Sequence, residues 1–193
     1  MQVIVLPTSS NESHSESDSF LVRRSLQGDH QSFQELYRRH HTRVRAILFQ
    51  LCDASAIDDL VQDVFLRAWK GLPKFRQSAQ FSTWLYRITW NVASDQRQAA
   101  ARHRTQLQTL TTHAPTRQES PDVLHLHYQD LVQRGLQELS FEHRTVLVLH
   151  DLEEVPQKEI AEILTIPLGT VKSRLFHARA AMRKYLEREG IHL

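Results

Sequence analysis

Cysteine is almost absent from this 193-residue chain, because Cys52 is the only one. A single thiol cannot form an internal disulfide or a cysteine-based zinc site. Only five glycines are present, and no glycine-rich phosphate loop or nucleophile–base motif can be found. Neither the His125–His127 pair nor the His40–His41 pair has the spacing of metal ligands. We therefore expect no enzyme activity, no metal and no other cofactor.

Long apolar runs are also missing. The first residues, MQVIVLP, have no basic segment, and their apolar run is too short for a signal peptide or a membrane span. We therefore expect a cytoplasmic protein that does not insert into membranes. The formal net charge is only +2, so basic character can attract a partner only where it is concentrated locally.

Strand-like alternation of polar and apolar residues is absent, while helical periodicity is present in two blocks. The fold class predicted from this pattern is all-α, with two small helical domains joined by a flexible linker and a helix-turn-helix in the C-terminal domain. Polar and acidic composition predicts disorder at the start, and a segment rich in Thr, Gln and Pro predicts the linker. The expected boundaries are 1–19 for the disordered tail, 20–101 for the first domain, 102–121 for the linker and 122–193 for the second domain.

The segment Glu159–Leu186 predicts the helix-turn-helix. Its first apolar repeat is interrupted before Pro167, since proline removes a backbone donor and disfavours helix in the preceding residue. A single apolar stripe then follows: Val171, Leu175, Ala178, Met182 and Leu186. The residues opposite that stripe are Lys172, Ser173, Phe176, His177, Ala180 and Lys184. No acidic residue lies between Glu162 and Glu187, where five Lys or Arg residues lie. This pattern favours a helix that enters the DNA major groove over a merely solvated basic helix.

The segment AIDDLVQDVFLRAWKGL, residues 56–72, predicts an amphipathic helix in the first domain. The expected buried positions are Ile57, Leu60, Val61, Val64 and Ala68. The expected outer positions are Asp59, Gln62, Asp63, Leu66, Trp69 and Lys70. Large apolar residues among charges can anchor another protein. Alternatively, a neighbouring helix of the same domain covers Leu66 and Trp69, since such residues are usually core.

The segment FSTWLYRITWNVASDQRQ, residues 81–98, predicts a second amphipathic helix. Leu85, Ile88 and Val92 are expected to face inward. The residues expected on the outer side are Tyr86, Arg87, Trp90, Ser94 and Arg97, with Asn91 on the flank. Aromatic rings beside guanidinium groups suit single-stranded nucleic acid, because rings stack on unpaired bases at about 1–3 kcal/mol each. The preceding polar loop holds Lys74, Phe75, Arg76 and Phe81, and it is either a cage for an extruded base or an ordinary connector.

Three segments, in order, carry a family resemblance: DDLVQDVFLRAWKGL, FRQSAQFSTWLYRITWN and LSFEHRTVLVLHDLEEVPQKEIAEILTIPLGTVKSRLFHARAAMRKYL. Over roughly residues 20–190, the chain resembles bacterial RNA polymerase sigma factors of the extracytoplasmic-function (ECF) subfamily. The resemblance implies binding to core RNA polymerase, recognition of specific promoters and promoter melting. It also implies an anti-sigma factor as a partner. The alternative is a free-standing helix-turn-helix regulator that acts without polymerase.

The resemblance implies roles for individual residues. The set that contacts core polymerase is Asp58, Asp59, Gln62, Asp63 and Trp69, together with Leu66 and Lys70 from the helix pattern. The set that captures a flipped base of the −10 element is Lys74, Phe75, Arg76, Ser78 and Phe81. The set that supports the melted strand is Trp84, Arg87, Trp90, Asn91 and Arg97, with Tyr86 from the helix pattern. The set that reads the −35 duplex is Thr170, Lys172, Ser173, Arg174, Phe176, His177 and Arg179, with Lys184 from the helix pattern.

Three positions depart from the family pattern. His177 stands where the family often has arginine, so readout is expected to be weaker or altered, and pH-sensitive, because free histidine titrates near pH ~6.5. Pro156 stands where a capping serine is common, and Glu154 where glycine is common. Without a capping oxygen, the start of the next helix is expected to be less stable by about 1 kcal/mol.

Overall fold

The computed structural model describes residues 17–52, 56–76, 79–107 and 125–191, and every regular element in these ranges is helical. The α-helices are α1 (Asp18–Leu26), α2 (His30–Leu51), α3 (Ile57–Gly71), α4 (Phe81–Leu107), α5 (His125–Glu138), α6 (Phe141–Leu147), α7 (Gln157–Leu164) and α8 (Leu168–Arg188). A short 3₁₀ turn, Leu72–Lys74, follows α3, and a π-helical turn, Val148–Leu152, follows α6. The prediction of an all-α fold is confirmed.

The first domain packs α1 to α4 around one apolar core. Asp29 caps α2, since its carboxylate accepts bonds from the backbone amides of Gln31 and Ser32 at 3.0 and 3.3 Å. All five residues of the stripe predicted for α3 are buried, and so is Phe65. Leu85 and Val92 of α4 are buried as predicted, and Ile88 is half-buried. Because the apolar sides of α3 and α4 are buried in this core, their opposite sides are directed away from it.

The helices at both ends of the first domain extend beyond the predicted bounds of 20 and 101. Residues 17–19 are ordered, because Ser17 caps α1 and Asp18 accepts bonds from Arg39 at 3.2 Å and His40 at 2.6 Å. Residues 1–16 of the expected tail lie outside the described ranges. Helix α4 continues to Leu107, since residues 102–107 contain no proline or glycine to stop it. The remainder of the expected linker, 108–121, is likewise outside those ranges.

The second domain contains the predicted helix-turn-helix. Helix α7 ends at Leu164, residues 165–167 form the turn, and α8 begins at Leu168. The buried residues of this unit are Ile160, Ile163, Leu164, Val171, Leu175, Ala178 and Tyr185. The apolar stripe of α8 is thus confirmed over its first half. Near the end of α8, Tyr185 is buried instead, and Met182 and Leu186 are half-buried.

The two domains pack against each other. Helix α7 lies on α4, and α6 with its π-helical turn lies beside α2. Arg43 of α2 donates from Nε to Oε2 of Glu153 at 3.2 Å, and Nη1 of Arg97 on α4 lies 3.8 Å from Oε1 of Glu142. Among the described helices, none has both the length and the apolar character needed to cross a membrane.

Candidate nucleic-acid interface

The outer face of α8 is open to solvent. Every residue predicted opposite its apolar stripe is exposed: Lys172, Ser173, Phe176, His177, Ala180 and Lys184. Phe176 is the most prominent, at 71% exposed, and its ring meets the His177 ring edge-on at 5.4 Å between centroids. An exposed ring flanked by cations offers apolar contact to base edges and charge to phosphates.

The other expected duplex readers are less available. Thr170 and Arg174 are half-buried. Arg179 is held by Asp151, with Nε 2.9 Å from Oδ2 and Nη2 2.5 Å from Oδ1. This hydrogen bonding keeps the pKa of the Asp151 carboxyl below its ordinary value. The Arg179 guanidinium therefore ties α8 to the π-helical turn, a structural role that the helix pattern could not indicate.

The start and end of α7 carry unusual backbone. Pro156 occupies the N-cap position and makes no side-chain capping bond, which agrees with the predicted loss of a cap. Glu154, just before it, has φ 55°, and Thr165 after α7 has φ 55° as well. Both residues thus lie in the left-handed region that favours glycine. This explains why glycine would suit the position of Glu154.

An aromatic cluster supports the loop before α4. The Phe75 and Trp84 rings stack at 4.8 Å between centroids, and Phe81 lies 5.8 Å from Trp84 and 5.3 Å from His40. Phe81 is only 4% exposed. The expectation that it contacts a base is therefore wrong in this conformation, because its neighbours enclose it as core.

Beside Trp84 is a small pocket of about 300 Å³. Its lining consists of Arg67, Gly71, Lys74, Trp84, Ile88 and Asn91. Arg67 is oriented by Asp63 on its own helix and by Asp95 on α4, at 3.1 and 2.8 Å. Lys74, Arg76 and Asn91 are exposed, as their expected roles require, and Ser78 lies outside the part of the chain that the structure describes. The pocket thus places the flat indole ring of Trp84 beside two cationic side chains and the amide of Asn91.

The outer stripe of α4 is only partly exposed. Arg87 and Arg97 are exposed, while Trp90 and Ser94 are half-buried. Tyr86 is 3% exposed, so the prediction that it faces solvent is wrong. The C-terminal domain packs on this side of α4, and burial raises the pKa of the Tyr86 phenol. A contact with residues about 70 positions further along the chain cannot be inferred from helix periodicity.

A groove of about 630 Å³ runs between α2 and α3. Leu66 remains 49% exposed at its edge. Trp69 is half-buried, with its ring 4.8 Å from Phe33 and 5.3 Å from His30 of α2. The alternative of cover by a neighbouring helix therefore holds for Trp69 and not for Leu66.

Charged and polar residues surround this groove. Asp58, Asp59, Gln62 and Lys70 are exposed, and Asp63 is half-buried in an ion pair with Arg67 at 2.9 Å. Three ring residues of α2 that the sequence patterns did not indicate line its opposite wall: Phe33, Tyr37 and His41. Their spacing of four residues is a helical stripe that could have indicated them.

Two segments of the chain match known protein families. Residues 36–103 match Sigma-70 region 2, and residues 129–182 match Sigma-70, region 4. The RNA polymerase sigma-H factor of Pseudomonas aeruginosa is 31% identical over 183 residues, which cover 89% of this chain and 95% of that protein. The chain belongs to the sigma-70 family. The ECF RNA polymerase sigma-E factor of Escherichia coli K12 is 30% identical over 86% of this chain and 92% of its own length, which places the chain in the ECF group.

As an ECF sigma factor, the protein binds core RNA polymerase and directs it to specific promoters for transcription initiation. A free-standing regulator is not favoured, because region 2 accompanies the helix-turn-helix. The fold is shared with the sigma factor RpoE of Bartonella quintana, solved with the anti-sigma factor NepR. The two structures superpose with a TM-score of 0.66 at 24% identity, over 80% of this chain and 96% of that one.

Proposed function

We propose that three separate surfaces of this sigma factor divide the work of initiation. The α2–α3 groove docks on core polymerase, the outer face of α8 reads the −35 duplex, and the loop before α4 with the outer side of α4 holds the melted −10 strand. The observation that carries this assignment is the exposed face of α8, where Phe176 is 71% exposed among basic residues.

The duplex step depends on α8. Its recognition face includes Lys172, Ser173, Phe176 and His177, all exposed on one side. Lysine and serine suit phosphate oxygens and base edges, and an exposed phenyl ring suits the methyl group of thymine. The Asp151–Arg179 pair fixes α8 on the body of the domain, so these side chains are presented in a defined direction.

The docking step depends on the groove. Leu66 at its rim and the rings of Phe33, Tyr37 and Trp69 within it form an apolar floor. The exposed carboxylates around it suit basic residues of a partner helix. A central apolar anchor with a charged rim is the usual composition of a protein-binding site.

Promoter melting depends on the binding of unpaired bases by the protein. Bases that leave the duplex need partners, and the indole wall of Trp84 with Asn91, Lys74 and Arg67 provides stacking, hydrogen bonds and charge in one pocket. Binding of each unpaired base stabilises the melted DNA relative to the duplex. The equilibrium therefore shifts toward the open promoter without nucleotide hydrolysis. We accordingly propose no catalytic step for this chain.

An anti-sigma factor is a further proposed partner. The Bartonella quintana relative by fold was solved with one, NepR, and an apolar groove needed for polymerase is a suitable target for an inhibitor. Since core polymerase and promoters are found in the bacterial cytoplasm, we also place this protein there.

The test is transcription in a purified system. The chain is mixed with bacterial core RNA polymerase and a pool of promoter fragments, and discrete run-off transcripts are sought. We expect transcripts that require both components, and their start sites would reveal the promoter sequence. Duplex binding by the chain alone, with no transcript, would instead favour the free-standing regulator.

A further inference from the structure

The aromatic cluster beneath the loop before α4 has a buried ring that supports the pocket wall. Phe81 is 4% exposed, and its ring centre lies 6.2 Å from that of Phe75 and 5.8 Å from that of Trp84. Phe75 stacks on Trp84 at 4.8 Å, and Trp84 lines the pocket. Aromatic rings attract each other at centroid distances of about 4.5–7 Å. The position of Phe81 therefore constrains the indole on which an unpaired base would stack.

A histidine of α2 contacts the buried ring from another helix. The imidazole of His40 lies 5.3 Å from the Phe81 ring between centroids. Its side chain is only 12% exposed, so it has little room to leave this contact. His40 is not among the residues that line the α2–α3 groove, whereas its neighbour His41 is. Docking on polymerase therefore does not explain its position.

A carboxylate of α1 orients this imidazole. Oδ2 of Asp18 accepts a hydrogen bond from Nε2 of His40 at 2.6 Å. Oδ1 of the same carboxylate accepts from Nη1 of Arg39 at 3.2 Å, so both of its oxygens are held. The bond from His40 also keeps the pKa of the Asp18 carboxyl below its ordinary value. A short hydrogen bond to a carboxylate that is itself fixed restricts rotation of the ring.

We infer that His40 is a positioning residue for base capture, oriented by Asp18 and acting through Phe81. Its ring fixes Phe81, and Phe81 in turn sets the angle at which Phe75 and Trp84 face the pocket. A binding site depends on such support, because small displacements of the contacting groups lower affinity. This inference rests on the proposed function of the loop before α4.

The test measures how strongly the affinity of holoenzyme depends on each base of the melted strand. Core polymerase with the full-length chain is titrated into a fluorescein-labelled single strand that carries the −10 sequence identified by run-off transcription. A matched set of strands replaces one base at a time by an abasic site. For wild type we expect a loss of about tenfold at the captured position, since one stacked base is removed. For His40→Ala we expect this abasic penalty to fall to about twofold or less, because a misaligned pocket gains little from the base.

The matched control is Arg38→Ala on the same helix. Arg38 is exposed, and its Nη1 lies 3.7 Å from Oε2 of Glu35. This variant should keep the wild-type abasic penalty. A general loss of stability would lower the fraction of active protein but would leave the ratio between intact and abasic strands unchanged. The penalty therefore reports positioning and not folding.

Two substitutions at the same position separate the ring from the rest of the side chain. His40→Phe keeps a ring beside Phe81 and should restore most of the abasic penalty. His40→Gln removes the ring but keeps a nitrogen donor and similar volume, so it repeats the test if the alanine variant does not fold. Binding to core polymerase should be the same for all of these chains.

The role of Asp18 is tested by combining substitutions. Asp18→Ala should reduce the abasic penalty less than His40→Ala does, because the ring stays in place but loses its orientation. In a chain that already carries His40→Ala, it should cause no further reduction, since Asp18 acts through the imidazole. Additive reductions would show that Asp18 acts by another route and would overturn its part in the inference.

The remaining outcomes separate the inference from the proposed function. A wild-type penalty in His40→Ala, or in His40→Gln where alanine does not fold, would overturn the positioning role and leave base capture intact. A penalty as low in His40→Phe as in His40→Ala would overturn the ring contact as its basis. If wild-type holoenzyme transcribes but shows no abasic penalty at any position, the loop captures no base, and the proposed function of the loop is itself wrong.

Discussion

At the scale of single residues, the clearest departure from ordinary geometry is the left-handed backbone of Thr165 and Glu154. Both have φ 55°. The left-handed conformation costs an L residue about 1–2 kcal/mol, and β-branching makes threonine one of the least suited residues for it. The two residues flank α7, so the strain is concentrated around the first helix of the helix-turn-helix.

Replacement of Thr165 by glycine should stabilise the protein. Thr165 is an exposed C-cap, and glycine removes the Cβ conflict, so we expect Thr165→Gly to raise the free energy of unfolding by about 1 kcal/mol. Urea unfolding followed by circular dichroism measures the effect. Thr165→Ala retains the Cβ and is the matched control; an equal gain for alanine would show that strain is not the cause.

The Asp151–Arg179 pair predicts a dependence of stability on acid pH. Hydrogen bonding from Arg179 lowers the pKa of Asp151 below its ordinary value of 3.8. The contribution of this pair is therefore present above pH 3.8 and is lost as the pH falls through the lower folded pKa. We expect Asp151→Asn to be less stable than wild type near neutral pH and to lose less stability on acidification. Urea midpoints across the acid range test this.

The control for that experiment is Asp59→Asn, which removes an exposed carboxylate from the other domain. Its acid profile should follow that of wild type. Parallel profiles for wild type and Asp151→Asn would contradict the role assigned to the pair.

The solvent exposure of a side chain could be predicted from the sequence where it depends only on the residue's position around its own helix. The exposure of Lys172, Phe176 and His177 follows from their position opposite the apolar stripe of α8. The burial of Tyr86 and the ion pair of Arg179 could not be predicted, because distant elements set both environments: the C-terminal domain covers Tyr86, and Asp151 binds Arg179. The individual roles of the candidate site residues stay predictions.

At the scale of elements, α5 and α8 cross closely at Gly135. A Cβ added there would lie 2.6 Å from Sδ of Met182 and 2.7 Å from the ring of Tyr185. Tyr185 is buried, so it has little room to move away. The close crossing explains a glycine inside a helix, where the residue otherwise costs stability.

We expect Gly135→Ala to destabilise the C-terminal domain by about 1–3 kcal/mol, the usual cost of overpacking. Gly169→Ala is the matched control, because it also lies in a helix and nothing stands within 4 Å of its added Cβ. That control should be neutral or slightly stabilising. Thermal unfolding of both variants measures the difference in stability. Equal melting temperatures would show that the close approach at Gly135 does not exclude a Cβ.

Element boundaries and types were predictable in proportion to the strength of their patterns. Five apolar positions at helical spacing fixed the buried side of α3, and Pro167 marked the turn before α8. The π-helical turn Val148–Leu152 has no such signal in the sequence. The extension of α4 to Leu107 was missed because polar composition was interpreted as linker, although Arg, Gln and Leu all favour helix.

At the scale of the whole molecule, the proposed polymerase groove can be tested separately from DNA binding. We expect Leu66→Arg to weaken binding to core polymerase at least about tenfold, because it places a charge at an apolar anchor. Leu26→Arg, at another exposed leucine outside the groove lining, should have little effect. Surface plasmon resonance with immobilised core polymerase gives both affinities, and equal loss for the two variants would exclude a specific groove contact.

Promoter opening should depend on Trp90. We expect Trp90→Ala to retain polymerase binding and closed-complex formation but to reduce open complex, because a stacking surface for unpaired bases is lost. Permanganate reactivity of promoter thymines at limiting temperature measures opening. If the variant shows the same permanganate reactivity as wild type, Trp90 does not contribute to binding of the melted strand.

Two domains were predictable from the two blocks of helical pattern, but their mutual packing was not. The contacts between Arg43 and Glu153 join residues 110 positions apart, and no local pattern in either segment indicates the other. Such long-range pairs are decided by the shape of completed domains.

The burial of Tyr86 has a consequence for how the protein searches a chromosome. Replication and repair expose single strands far from any promoter, and stacking on bases is largely indifferent to sequence. If the strand-binding surface were fully exposed, such single-stranded DNA would occupy it away from promoters. With Tyr86 enclosed and Phe176 exposed, this arrangement offers the Phe176 face to double-stranded DNA and keeps the Tyr86 ring from stacking on single strands.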